Sequence, residues 1–150
     1  RWLLSRCASD ATTARQLYAD ALARALAAGD HAQAYYHAIN LAFFQLFADR
    51  QRAAARATAR QALDHCHLAT TSELASDRKW RLATEGEALL HLGDTDAALA
   101  RYREAIAPEH GAQPREIESM YRQAVYLSRE IGDTSLRRAL TRLFRNEDAP

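Results

Sequence analysis

Residues 79–107 read KWRLATEGEALLHLGDTDAALARYREAIA. The first half carries apolar side chains at helical spacing from Leu82 to Leu92 and then meets Gly93-Asp94. Glycine ends a helix at positive φ without a side-chain clash, and the aspartate next to it can accept hydrogen bonds from the free amides of the next helix. A second helical run, Asp96 to Ala107, follows at once. A linker this short leaves two helices no arrangement except antiparallel contact. The stretch therefore predicts a helical hairpin.

The same punctuation recurs outward in both directions. Gly29-Asp30, Ala48-Asp49 and Gly132-Asp133 each fall between two helical patterns. The turns at residues 48, 93 and 132 are 45 and 39 residues apart, the mark of a helical-pair array with irregular loops. About seven helices are expected. The first runs from Thr12 to Ala28, the second from His31 to Phe47, and the third from an Asp49 cap to Leu68. The fourth starts at Ser76 or Asp77 and stops at Gly93, and the fifth covers Asp96 to Ala107. The sixth runs from Pro114, which suits a first helical turn, to Ile131, and the seventh from Asp133 or Thr134 to near Phe144. Residues 69–72 and 108–113 read as loops, and residues 145–150 as a frayed tail. The helix pairs are 31–68, 77–107 and 114–144 within one domain spanning residues 1–150.

Composition agrees with an all-α chain. Alanine, the best helix former, occurs 33 times, against 5 Gly and 3 Pro. The net charge of +1 lacks the electrostatic footprint of a dedicated nucleic-acid binder. No apolar run approaches the roughly 20 residues of a membrane-spanning helix. Cys7 and Cys66 have neither metal-ligand spacing nor a disulfide framework, so a reducing cytoplasm is the default location. The chain does not begin with Met, and Arg1-Trp2-Leu3-Leu4 is too short for a signal-peptide core. These ends suggest a fragment of a longer polypeptide, with Trp2, Leu3 and Leu4 pointing to self-association through the N-terminal helix or to contact with preceding residues.

Within 79–107, Gly86, Gly93, Ala98, Tyr102 and Ala105 fall where tetratricopeptide repeats place small, turn, small, aromatic and small residues. The pattern resembles one such repeat. The neighbouring units are less regular: Ala48 stands at a turn glycine, and Arg137 where alanine is usual. The expectation is an all-α, tetratricopeptide-like superhelical array, an α-α solenoid of antiparallel helices.

A second likeness is more specific. Tyr35-Tyr36-His37-Ala38-Ile39-Asn40-Leu41-Ala42 resembles the Tyr-Tyr-x-Gly-Ile-Asn-x-Ala motif of the TRAF-binding domain family, which includes the central regulatory region of apoptosis signal-regulating kinases and many bacterial proteins. Some 40 residues on, Trp80-Arg81-Leu82-Ala83-Thr84-Glu85-Gly86-Glu87-Ala88 is similar to the bacterial members' Trp-x-x-Ala-Thr-x-x-Glu-Ala run. Ala38 replaces the usual Gly. The resemblance covers roughly residues 15 to 135. It implies a protein-interaction scaffold inside a larger bacterial signalling or defence protein, with Tyr36, Ile39 and Asn40 as motif residues.

In tetratricopeptide register, a concave face would show Tyr35, Ala38, Ala42 and Gln45 from the second helix, Trp80, Ala83, Glu87 and His91 from the fourth, and Arg122, Tyr126 and Arg129 from the sixth. Such a surface suits a protein or peptide segment, or a neighbouring domain of the same chain. It lacks the Lys/Asn arrangement that captures acidic chain ends. Asn40 either makes an inter-helix or loop-fixing hydrogen bond or offers its amide to a ligand. Tyr35, Tyr36 and Trp80 either pack between units or line a groove. Glu87 and His91, an i,i+4 pair, read as a surface or groove ion pair.

Asp64-His65-Cys66-His67 does not read as a metal site, because successive helical side chains point about 100° apart. Arg52, Arg56 and Arg60 form one stripe, and Arg137, Arg138, Arg142 and Arg145 crowd the last helix; both read as solvated faces. No phosphate loop, nucleophile elbow or zinc signature is present, so neither a catalytic residue nor a metal or other cofactor is expected. The expected function is a non-catalytic interaction scaffold. Its alternatives are a helical spacer between functional domains and, less favoured, an enzyme with an unfamiliar helical site.

Overall fold

The structure is a computed structural model that describes residues 8–146. Among these, every regular element is helical: α1 (Ala8–Ala28), α2 (His31–Phe47), α3 (Arg52–Ala69), α4 (Arg78–Leu92), α5 (Thr95–Ala105), α6 (Pro114–Ile131) and α7 (Thr134–Arg145), with a 3-10 turn at Pro108–His110. Trp2, Leu3, Leu4 and Cys7 lie outside the described residues, as does the tail from residue 147. No helix among the described residues is long and apolar enough to cross a membrane.

Three of the four turns are built as the sequence predicts. Gly29, Gly93 and Gly132 have positive φ. Asp30, Asp94 and Asp133 accept from the backbone amides of Gln33, Ala97 and Leu136. The fourth turn differs. Ala48 stays right-handed at φ −89°, ψ −45°, and the positive φ passes to Arg50 at 56°. The turn is consequently longer, and α3 starts at Arg52 behind Gln51 rather than behind an Asp49 cap. Asp49 instead sits 3.1 Å from the Arg15 guanidinium of α1. An alanine resists the left-handed conformation that glycine adopts freely, so the reversal moved down the chain.

The chain divides into two compact units, one ending at Thr71 and the other beginning at Ser72, where the sequence reading had a single domain. The boundary falls among the small polar residues Thr70, Thr71 and Ser72 that follow α3.

In the first unit, α2 packs against α1 and, more extensively, against α3. It is buried on nearly every side, with Ala38, Ile39, Ala42 and Phe43 at 2% exposure or less. The opposing α3 buries Ala55, Ala59, Ala62, Cys66 and Ala69 at helical spacing. Such small side chains let helix axes approach closely.

In the second unit, α4 pairs with α5 and α6 with α7, while α4 also touches α6 and α5 touches α7. Leu82, Ala105 and Met120 form its core, with Ile106 and Phe144 packed against them. The α4–α5 packing is tight at Gly86. A Cβ there would lie 3.0 Å from the ring of Tyr102, itself 1% exposed. The small and aromatic positions of the 79–107 pattern thus close on one another, with Ala98 and Ala105 fully buried beside them.

Candidate functional site

The candidate surface of the second unit starts from α4. Trp80, Glu87 and His91 are separated by seven and four residues and so share one stripe. Trp80, at the start of the helix, is 38% exposed. Thr84, one turn further on, donates its hydroxyl to the Trp80 carbonyl at 2.9 Å. Further along, the stripe closes. Glu87 is 5% and His91 7% exposed, so neither faces a partner.

The surface ion pair expected of Glu87 and His91 is therefore not what these residues form. Gln123 of α6 donates its Nε2 to Glu87 Oε1 at 2.8 Å. His91 Nε2 has no hydrogen-bond partner among the described residues. Burial lowers the His91 pKa to about 4, so the imidazole is neutral at neutral pH. A neutral ring is the state that burial selects, because an imidazolium without a partner loses its hydration.

The Gln123 bond fixes how α6 lies along α4. Lys79, the only lysine, adds a second tie, with Nζ 2.8 Å from Glu116 Oε2. The same carboxylate accepts from the Gln113 backbone amide at 2.7 Å, closing the first turn of α6. Its pKa falls because of that backbone bond first and the lysine second. Both ties join equivalent positions along the two helices, so α4 and α6 run parallel, as alternate helices of a hairpin array do.

Next to Gln123 on α6 come Arg122, Tyr126 and Arg129. Arg122 and Arg129 are exposed and Tyr126 is half-buried. Arg129 lies over the Tyr126 ring at 5.8 Å, and Arg122 meets Glu118 at 3.1 Å. Trp80, Arg122, Tyr126 and Arg129 thus remain accessible on two parallel helices.

The first unit distributes its tyrosines in the opposite sense to the expectation. Tyr35, placed on the open face by repeat register, is 7% exposed and packs with Cys66 and Ala69. Tyr36, read as a structural residue, is 50% exposed, its ring edge-on to Tyr18 at 6.5 Å. Neighbouring residues on a helix point about 100° apart, and α3 covers the Tyr35 side. Ala38 and Ala42 are fully buried and present no open face, while Gln45 is half-buried. Asn40, 3% exposed, donates to the Tyr36 carbonyl at 2.7 Å. The bond stays within α2 and joins no second helix.

No family model, no curated protein and no solved structure matches the chain.

Two arrangements were not read from the sequence. One is an ionic cluster at the start of the second unit. Glu73 meets Arg78 at 3.1 Å and also bonds Arg81, and Glu85 takes Arg81 at 2.5 Å and Arg101 at 3.1 Å. Burial disfavours the Arg81 charge, but the hydrogen bonds and fields of Glu73 and Glu85 outweigh it and raise the pKa. Only the i,i+4 spacing of Arg81 and Glu85 was visible beforehand. The other is the meeting of His31 with His65, 34 residues apart, which no spacing rule within one helix reveals.

Proposed function

We propose that the chain is a non-catalytic interaction module that holds an extended protein segment against the α4–α6 face of its second unit. The observation that supports this most directly is Trp80, a large aromatic left 38% exposed on α4, with Arg122, Tyr126 and Arg129 accessible on the parallel α6. Trp, Tyr and Arg are the residues most enriched at binding hot spots. An uncovered indole is what a featureless spacer would lack. The arginines favour a segment that carries acidic residues around an apolar anchor. The likeness to the TRAF-binding domain family supports the same class, a tetratricopeptide-like scaffold in a bacterial signalling or defence protein working in the cytoplasm. Its partner is then another protein or a neighbouring domain of the same polypeptide, with nucleic acid not the main target.

The test is selection of a random peptide library on the immobilised chain, followed by affinity measurement on the selected peptides. Peptides with acidic residues flanking an apolar one should be enriched, and Trp80→Ala and Tyr126→Ala should each weaken them at least tenfold. Peptides that bind both variants as well as the parent chain would refute this face as the site. A library that yields no binder would favour the spacer.

A further inference from the structure

His31 opens α2 and His65 lies near the C-terminal end of α3, so the packing of these helices brings the two imidazoles together. Their Nδ1 atoms are 3.0 Å apart, the ring centroids 5.2 Å apart, and the planes are inclined by 27°. This is the geometry of one N–H···N hydrogen bond from helix to helix. One ring must then carry its proton on Nδ1 and the other on Nε2, because the shared edge needs one donor and one acceptor.

The effect of added protons follows from that count. A first proton adds to the free Nε2 of the donor ring and leaves the shared edge as it was, so the bond survives. A second proton takes the acceptor's Nδ1 lone pair. Two N–H groups then point at each other, each on a cation. Such an edge cannot persist at 3.0 Å, and the rings must part.

The charged groups around the pair do little to hold two cations. On α2, Asp30 already accepts from the Gln33 amide. On α3, Asp64 and His67 are both exposed. On α1, the last charged residue is Arg24, itself a cation. The pKa of His65 is lowered by burial first and by His31 second, against Asp64, so full protonation comes below the ordinary histidine value of 6.5. The contact is therefore closed at neutral pH and opens as pH falls.

The contact also stands beside a small buried cluster. Tyr35 follows His31 by four residues and Ala69 follows His65 by four, so each pair shares a stripe of its helix. Tyr35 and Ala69 close on Cys66, which is fully buried. Parting the rings removes the polar tie next to that cluster.

We propose that the His31–His65 hydrogen bond is a proton-operated latch in the first unit, joining the start of α2 to the end of α3 at neutral pH and releasing them when both imidazoles are cations.

The test is nuclear magnetic resonance on the untagged 150-residue chain. At pH 7.5, imidazole nitrogen shifts should show one ring of the pair protonated at Nδ1 and the other at Nε2. As pH falls to 5 and both rings become charged, hydrogen exchange at the Tyr35 and Ala69 amides should lose at least tenfold of its protection, after correction for the intrinsic exchange rate. His65→Gln keeps a neutral side chain that can bond His31 and cannot supply the second cation, so its protection at Tyr35 should not change over this range. His91 is also buried as a neutral ring, but it lies in the second unit, so exchange read at single amides keeps the two apart. Two rings both protonated at Nε2 at pH 7.5, protection that is unchanged once both rings are charged, or an equal loss in His65→Gln would each overturn the latch.

Discussion

Gly86→Ala sets two opposing effects against each other. Gly86 lies inside α4 at ordinary helical φ, so alanine would favour the helix by about 1 kcal/mol. The new methyl, however, would sit 3.0 Å from Tyr102 Cε2 and 3.1 Å from Cδ2 and Cζ, tighter than packed carbon atoms accept. The ring has little room to retreat. It is 1% exposed, and the Phe144 ring stands 5.4 Å away on α7. Overpacking of a filled core costs about 1–3 kcal/mol, so the steric effect wins and the net loss is about 1 kcal/mol. For a chain of this length that is a fall of about 2–4 °C in the thermal midpoint. Urea unfolding followed by circular dichroism measures it directly. The same substitution in a Tyr102→Leu background, where the ring is gone, should instead stabilise by roughly the helix-propensity gain of 1 kcal/mol. The reversal of sign between backgrounds isolates the contact. A Gly86→Ala chain as stable as its parent, or an equal effect in both backgrounds, would refute the close approach of α4 and α5.

Two further outcomes follow from buried charge chemistry. The folded chain holds His91 neutral with a pKa of about 4, whereas the unfolded chain takes up a proton near 6.5. Stability should therefore fall as pH drops from about 6.5 to 4 and level off below. The share due to His91 is roughly 3 kcal/mol at most, and His91→Leu should remove that share from the difference between urea midpoints at pH 7.5 and pH 4. Glu85→Ala should destabilise on the order of 3 kcal/mol, because it strips a nearly buried carboxylate from both Arg81 and Arg101. A loss below 0.5 kcal/mol in chemical unfolding, the range of ordinary surface changes, would show the cluster to be incidental.

Much of the helical framework is local chemistry and could be read residue by residue. The bounds of α2 and α6, and the stops at Gly93 and Gly132, follow from glycine's access to positive φ and from aspartate or proline at the next helix start. None of these needs a distant neighbour. Asp49 shows the limit even here. Its place after Ala48 imitated the Gly-Asp turns, yet the absence of glycine moved the reversal to Arg50 and left Asp49 to Arg15.

Apolar and small residues recurring every three or four positions establish that the chain is helical, and the Gly93-Asp94 turn that residues 79–107 form a hairpin. Which side of a helix faces solvent depends on helices far away in the sequence. Tyr35 and Tyr36 are chemically alike and adjacent; α3 buries one, while the other stays half-exposed beside α1. Glu87 and His91 looked like a surface pair until Gln123 reached Glu87 from α6. His65 seemed isolated between Cys66 and His67 until the α2–α3 packing set His31 against it. Periodicity tells which residues share a stripe, because that follows from 100° per residue. The burial of a stripe and the partner it meets are properties of the packed helices, and no local signal encodes them.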